Sequence, residues 1–385
     1  MAIPILTRAE VVKNNADLTS RKTPRDSGPV IEGQTSGSTG TPVSYKKSDA
    51  SVVAATTLLE RMFRWWSIDG QKTYAHIAPD RKKEAQPPDG RTTRGWHSSH
   101  PGGVKYFIAV ETDVDTHLQW LMARRPDYLA AYAPVLKELA LTAQKRGVAI
   151  AFERLLSFGT VLDDATRELC KAAFGAEIAD TYGTQEVDHI AAQCRDCGEY
   201  HVSSEAALVE VLRDDGTAAT PGEVGRVVVT PLYNYAMPLI RYELGDMAEV
   251  GSAPSACGRG LPTLRRVLGR TRNMFRFRDG TTIWPVSGAF RLGNFIALKQ
   301  FQIVQTDFDH VEIRYVPEAA QAPAAVDLPA LTERIRRILR QPVEVLLRSV
   351  DRIDRSASGK YEECISLVPS GGAGSPPGQP RSGQG

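Results

Sequence analysis

Cysteine is scarce in this chain, five in 385 residues and odd in number. A framework of paired disulfides is therefore not what organises the fold, and in a reducing compartment free thiols or a metal site are the expected uses. An excess of one charge sign is missing too: 47 Lys and Arg stand against 45 Asp and Glu, for a formal net charge of +2. No basic block is interleaved with aromatics, so nothing supports nucleic acid binding. No apolar run approaches about 18 residues, and the first residues lack the basic start, apolar stretch and small-residue site of a secretory leader. These absences lead to the expectation of a cytoplasmic protein with neither nucleic acid nor membrane as partner. What is present, 42% apolar and 24% charged residues over this length, suffices for two domains with proper cores.

The most unusual stretch is Gln34-Thr35-Ser36-Gly37-Ser38-Thr39-Gly40-Thr41-Pro42. It is too polar for core and too rich in glycine for helix. Glycines let backbone N–H groups approach an anion, and the hydroxyls of Thr35, Ser36, Ser38, Thr39 and Thr41 add donors, so the segment reads as a phosphate cradle. No Gly-Lys-Ser/Thr follows at the spacing of the strand-loop-helix nucleotide loop. Taken alone, a flexible Ser/Gly linker remains the alternative.

Four further segments bear on that choice: Ala179-Asp180-Thr181-Tyr182-Gly183-Thr184-Gln185-Glu186, Leu239-Ile240-Arg241-Tyr242-Glu243-Leu244-Gly245-Asp246, Gly269-Arg270, and Asp354-Arg355-Ser356-Ala357-Ser358-Gly359-Lys360. With the cradle, they stand in the order of the motifs of the adenylate-forming superfamily, which comprises acyl-CoA synthetases, luciferases and peptide-synthetase adenylation domains. The chain resembles that superfamily from about Gly33 to Leu367, nearest its phenylacetate-CoA ligase-like branch. The resemblance implies ATP and magnesium as cofactors, with CoA as the usual acceptor. Ser36, Gly37, Ser38, Thr39, Gly40 and Thr41 would cradle phosphate, and Gly159 and Thr160 would border adenine. Asp180, Thr181, Tyr182 and Gly183 would continue that nucleotide site, with Tyr182 stacking near the base. Thr184 would contact phosphate, Glu186 would hold magnesium, Asp246 would accept from the ribose hydroxyls and Arg270 would contact the nucleotide. Lys360 would bridge acyl and phosphate oxygens in the adenylating step. In the same branch a structural zinc is common, and Cys194, Cys197, His201 and Cys257 offer the ligand types that a closed tetrahedral site takes; separate cysteines are the alternative. Ser255 stands where the branch has the first cysteine of the later pair.

Element patterns agree with an α/β protein. Apolar spacing predicts helices over 48–66, 113–123, 134–145 and 163–173, with strands at 73–78, 104–110, 126–132, 147–150, 155–158 and 176–180. This alternation argues for mostly parallel sheets flanked by helices, with ligands beyond the carboxyl ends of the strands. Strands at 207–212 and 225–230, separated by turn residues, suggest a small antiparallel subdomain. The segment 81–103, with Trp96, His97 and His100, is expected as a loop that either lines the acyl or acceptor pocket or is merely solvated. The expected division is an adenylation core over 1–268, with a short, weakly packed lead-in at 1–30, a mobile α+β lid over 269–369, and a disordered tail over 370–385. Relatives in the branch would carry a longer helical region before the cradle.

The function expected from all this is an ATP-dependent, AMP-forming ligase that activates a small aromatic carboxylate as an acyl-adenylate and passes it to CoA. Asn273 at the hinge and the run Arg278 to Pro285 depart from the CoA ligase pattern, which leaves an amine, hydroxyl or other small nucleophile as the alternative acceptor. A nucleotide-binding scaffold without catalysis is the alternative from another class, and a zinc-held interaction module the third. Small-molecule carboxylate and acceptor are the expected partners; a homodimer is compatible with the sequence.

Overall fold

A computed structural model of the chain describes residues 3–35, 42–80, 82–97, 100–285, 290, 292–318, 326–353 and 362–369. The cradle residues Ser36 to Thr41 and the loop carrying Lys360 lie outside the described residues, as does the tail from 370. The chain divides into two compact units, one built from Met1–Arg270, the other from Thr271–Ile353 with the strand at Cys364–Ser366.

The first unit begins with two short helices, α1 (Arg8–Lys13) and α2 (Asn15–Leu18). Thr7 caps α1 in a reciprocal arrangement with Glu10, and Val11 is fully buried. The lead-in expected to pack weakly is instead tied down. Leu6 donates its N–H to the Arg241 carbonyl and accepts from the Glu243 N–H, both at 2.9 Å, as if adding a residue of strand. Next come β1 (Val30–Gln34) and β2 (Ser44–Ser48), an antiparallel hairpin, and α3 (Asp49–Trp65).

Five parallel strands then run side by side toward one edge of a sheet: β3 (Thr73–Ala78), β5 (Val104–Ala109), β6 (Tyr128–Ala131), β7 (Arg154–Phe158) and β8 (Ile178–Thr184), with β4 (Arg91–Arg94) antiparallel at the edge itself. Their crossovers are α4 (Val114–Arg124), α5 (Ala133–Arg146) and α6 (Asp164–Phe174). Asp113 and Asp163 cap the N-termini of α4 and α6, each accepting from the N–H three residues on, and Gly147 and Gly175 end α5 and α6 in the left-handed conformation. Two expectations need correction. The segment 81–103 contains β4, and 147–150 is not a strand: Val148 donates back to Ala143, and the chain runs from the helix end to β7 without pairing.

The antiparallel strands β9 (Asp188–Gln193), β10 (Tyr200–Val202), β11 (Ala207–Leu212), β12 (Val224–Pro231), β13 (Tyr242–Val250) and β14 (Thr263–Arg270) are continuous with this array. Together they make a 12-stranded sheet ordered β11-β12-β13-β14-β10-β9-β8-β7-β6-β3-β5-β4. One core packs α4, α5 and α6 on one face of the parallel portion; Met62, Phe63 and Trp66 at the end of α3 cover part of the other, against Tyr128, Ala130 and Leu156. A third core, with Tyr182, Val227, Met237 and Tyr242, belongs to the antiparallel portion.

The second unit has a hairpin of β15 (Phe275–Arg276) and β16 (Thr282–Ile283) and a four-stranded sheet. In that sheet β17 (Leu298–Gln305) and β18 (His310–Pro317) are antiparallel, while β19 (Glu344–Ser349) and β20 (Cys364–Ser366) add in parallel at its edges. Helix α7 (Leu328–Leu339) buries Leu331, Ile335 and Leu339, four residues apart, as its amphipathic spacing requires. Among the described residues no helix is long and apolar enough to cross a membrane.

Candidate functional site

The expected nucleotide residues converge where β8 meets the antiparallel strands. Tyr182 and Gly183 lie on β8, and the turn into β9 carries Glu186. Gly183 is required there, because a Cβ would stand 2.3 Å from the Asp188 carbonyl oxygen. Asp246 lies on β13 opposite Arg270 on β14. The Tyr182 hydroxyl donates to Asp246 at 2.9 Å, and Arg270 pairs with the same carboxylate at 2.9 Å while donating to the Leu244 carbonyl at 3.2 Å. Asp246 is nearly sealed from solvent, and its charge raises the pKa of Arg270 further above the usual guanidinium value. Burial and the same carboxylate push the Tyr182 phenol well up, so both partners are fixed as donors.

Beside this cluster stands Glu186, only 3% exposed. The Tyr242 hydroxyl donates to it at 3.3 Å, and the Arg8 guanidinium lies 3.9 Å away. Arg8 also donates to the Thr35 hydroxyl at 3.0 Å. Thr35 and Val43, the flanks of the cradle segment, are joined by two bonds of 2.8 Å, the Thr35 N–H to the Val43 carbonyl and the Val43 N–H to the Thr35 hydroxyl. A cation from the N-terminal helix thus reaches both the base of the cradle and the buried carboxylate. The sequence reading missed it; the only signal was the capping box that starts α1 one residue before.

Other expected residues take different places. Thr184 accepts from the Val187 N–H at 3.2 Å and shapes the Glu186 turn. Gly159, with φ of +66°, follows β7, and the Thr160 hydroxyl accepts from Ala133 N–H at 3.1 Å, tying two strand ends together. Thr181 donates to the Ser157 carbonyl. Asp180 is buried, accepts from Tyr200 at 2.6 Å, and has its pKa lifted to about 6 by burial. That carboxylate is bonded to Tyr200 rather than to any residue of the Asp246 cluster. Arg241, in the 239–246 motif, pairs with Glu210 at 2.9 Å.

The thiols form a second centre. Cys194 follows β9, His201 lies on β10, Cys197 is in the turn between them and Cys257 in the loop before β14. One donor atom from each lies within 4.8 Å of all the others. His201 Nε2 is 3.1 Å from the Cys257 sulfur and 3.6 Å from that of Cys197. Tetrahedral zinc with sulfurs at about 2.3 Å implies ligand edges of about 3.8 Å, so this set fits such an ion. Arg259 donates to the Cys194 sulfur at 2.7 Å. Cys170 and Cys364 stand apart as buried core residues.

No family model matches the chain. In sequence it is similar to a phenylacetate-coenzyme A ligase of Thermus thermophilus, 26% identical over 271 residues, which cover 63% of this chain and 61% of that protein. The chain thus spans less than two thirds of that relative's length. In fold it is similar to 2-hydroxyisobutyryl-CoA ligase in the postadenylation state with an acyl-AMP, at TM-score 0.72, 16% identity, and coverage of 96% of this chain and 80% of that one. It is also similar to the amide bond synthetase McbA from Marinactinospora thermotolerans, at TM-score 0.57 and 16% identity, covering 86% of this chain and 67% of that one. The resemblance to the adenylate-forming superfamily and its phenylacetate-CoA ligase-like branch is borne out, and the fold is that of adenylate-forming ligases.

Proposed function

We propose that the chain is an ATP-dependent, AMP-forming ligase that activates a small aromatic carboxylate as an acyl-adenylate and then transfers the acyl group. The observation that carries this reading is the meeting of Tyr182, Asp246 and Arg270 with a buried Glu186, beside an arginine that touches the base of the cradle. Asp246 can exchange its present donors for ribose hydroxyls, and Arg270 is then released toward phosphate. Thr181 and Tyr182 border the base, with Gly159 and Thr160 at the adjoining strand end. Arg8 and the amides of Ser36 to Thr41 receive the phosphates. Glu186 offers the single hard oxygen ligand that magnesium commonly takes beside the nucleotide's own phosphates; the ion would neutralise charge on the departing pyrophosphate.

In the first step a carboxylate oxygen attacks the α-phosphorus, a P–O bond forms, the bond to the bridging oxygen breaks, and pyrophosphate leaves. Both partners are anionic, and the Lys360 ammonium offsets charge on the acyl and phosphate oxygens as they approach. Cys194, Cys197, His201 and Cys257 would hold zinc, fixing the β9–β10 turn and the 251–262 loop against each other. For the second step CoA is the default acceptor. The likeness in fold to an amide bond synthetase supports an amine as the alternative.

The test is pyrophosphate release dependent on a carboxylate, assayed across aryl acids with and without CoA or amines. Lys360→Ala should lower release by about 10²- to 10³-fold while leaving transfer from a supplied acyl-adenylate largely intact. Equal loss of both steps removes the role given to Lys360. Nucleotide binding without release for any acid would leave a non-catalytic scaffold.

A further inference from the structure

On the face of the parallel strands that α3 partly covers, the side chains form an aromatic wall carrying two cations, Lys105 and Arg91, the latter 5.5 Å from the Phe107 ring centroid and paired with Glu84. Phe107 of β5, His76 of β3 and Phe158 of β7 meet edge to face, with His76 5.5 Å from Phe107 and 5.3 Å from Phe158, centroid to centroid. His76 reaches Phe158 across β6 because Ala130 there is small. Tyr132 closes on Phe158 at 5.0 Å. Lys105 of β5 lies on the same face, its ammonium 5.6 Å from the Tyr74 ring centroid.

Two groups in this wall are unmatched. Lys105 has no carboxylate partner among the described residues, and the charge that acts on it, Arg91, is of the same sign. Burial lowers its pKa, as for an ammonium drawn out of water without compensation. His76 Nδ1 is buried without a hydrogen-bond partner, and burial drives its pKa down to about 3, so the ring is neutral. Yet Lys105, His76, Phe107 and Phe158 are only part-buried. Side chains so deeply surrounded that still keep residual access can form one wall of a recess. Its inner end is at the candidate nucleotide site: Phe158 is in register with Thr181, the residue before Tyr182, and is followed by Gly159 and Thr160.

We infer that this recess takes the acid to be activated, and that the acid is an aromatic carboxylate bearing a second anionic group at the end remote from the reacting one, received by Lys105. The inference rests on the ligase reading given above, and it names the substrate class. Phe158 and Phe107, the latter with Arg91 over one face, line the way for a ring, His76 offers one neutral hydrogen-bonding nitrogen, and the ammonium offsets the distal charge. From β8 to β5 there are four strand spacings, about 19 Å, part of which the lysine chain itself spans. The acid is therefore elongated, with its anionic groups at opposite ends of the ring system.

The experiment pairs binding with turnover on the full chain. Terephthalate, 4-sulfobenzoate and 4-carboxycinnamate are compared with 4-methylbenzoate and cinnamate, by titration calorimetry with AMP present and by pyrophosphate release. The doubly anionic acids should bind at least about tenfold more tightly than their neutral counterparts. Lys105→Met should erase that ratio while leaving the neutral acids' affinity within about twofold, and Lys105→Arg should restore part of it. Preference for the neutral acids, or an unchanged ratio in Lys105→Met, overturns the inference. If every acid fails to release pyrophosphate, the ligase reading fails, but the binding ratio and its loss in Lys105→Met still decide the recess. Circular dichroism of both variants shows whether a lost ratio reflects lost fold.

Discussion

Two charged regions of the first unit face opposite situations. Around Asp246 and Glu186 every described charge has a partner: Asp246 has Tyr182 and Arg270, and Glu186 has Tyr242 and Arg8. In the aromatic recess the Lys105 ammonium has the Tyr74 ring but no anionic partner among the described residues. A matched cluster holds itself in shape, and a ligand entering it must take over bonds already made. An unmatched charge costs stability until a ligand completes it. The first arrangement suits a nucleotide, whose groups exchange with internal donors, and the second suits selection of one acid.

The sharpest break of this contrast lies in stability. Asp246→Ala leaves Arg270, most of it buried, without its anion, and should cost about 3 kcal/mol in urea unfolding at pH 7. A loss below about 1 kcal/mol would mean that the pair is not what fixes β13 against β14. Next in size is Glu186→Gln. It keeps volume and an acceptor for Tyr242, so folding should change little, yet pyrophosphate release should fall by about 10²-fold and its magnesium dependence should shift to higher concentration. An unchanged magnesium profile would sink the role given to Glu186. Lys105→Met should act in the opposite direction from Asp246→Ala, raising unfolding stability by about 1 kcal/mol without ligand, because an uncompensated ammonium is replaced by an apolar chain of similar length. Destabilisation by that much would show that Lys105 is matched after all.

The matched region was legible in the sequence and the unmatched one was not. Tyr182, Gly183, Glu186, Asp246 and Arg270 sit in short contiguous motifs, each set by a local turn or strand, so their spacing survives in the linear order. Arg8 does not: its place depends on Leu6 bonding to β13, more than 200 residues away. The recess is built from alternate residues of β3, β5 and β7, and only the strand order brings Lys105 and His76 to one face. The helices and parallel strands were readable from periodicity and capping, because Asp113, Asp163, Gly147 and Gly175 punctuate them. Val148 and Ile150 misled because they are apolar and short, yet they pack on the core's edge without a partner strand. The antiparallel strands read as a small subdomain, and no sequence signal shows the pairing of β9 with β8 and β10 with β14 that joins them to the parallel array.

Asp180 falls between the two cases and gives the smallest expected effect at neutral pH, where its contribution vanishes. One of its oxygens accepts from Tyr200, and the other, Oδ1, has no hydrogen-bond partner among the described residues. Burial outweighs the Tyr200 bond and lifts its pKa from 3.8 to about 6. The sign follows from proton binding. Between about pH 4 and pH 6 the folded chain holds this proton more tightly than the unfolded chain, so the stabilisation belongs to the acidic side and is lost as pH rises through 6. Asp180→Asn cannot titrate, so the stability of the parent minus that of the variant should decline across that window, by about 2 kcal/mol, and stay flat above pH 7. Urea unfolding at pH 4.5, 5.5, 6.5 and 7.5 checks it, and a parallel course for both proteins would place Asp180 with the matched charges. A slope of opposite sign would mean that Tyr200 and the nearby Arg167 hold the carboxylate ionised, as a fully partnered anion would be.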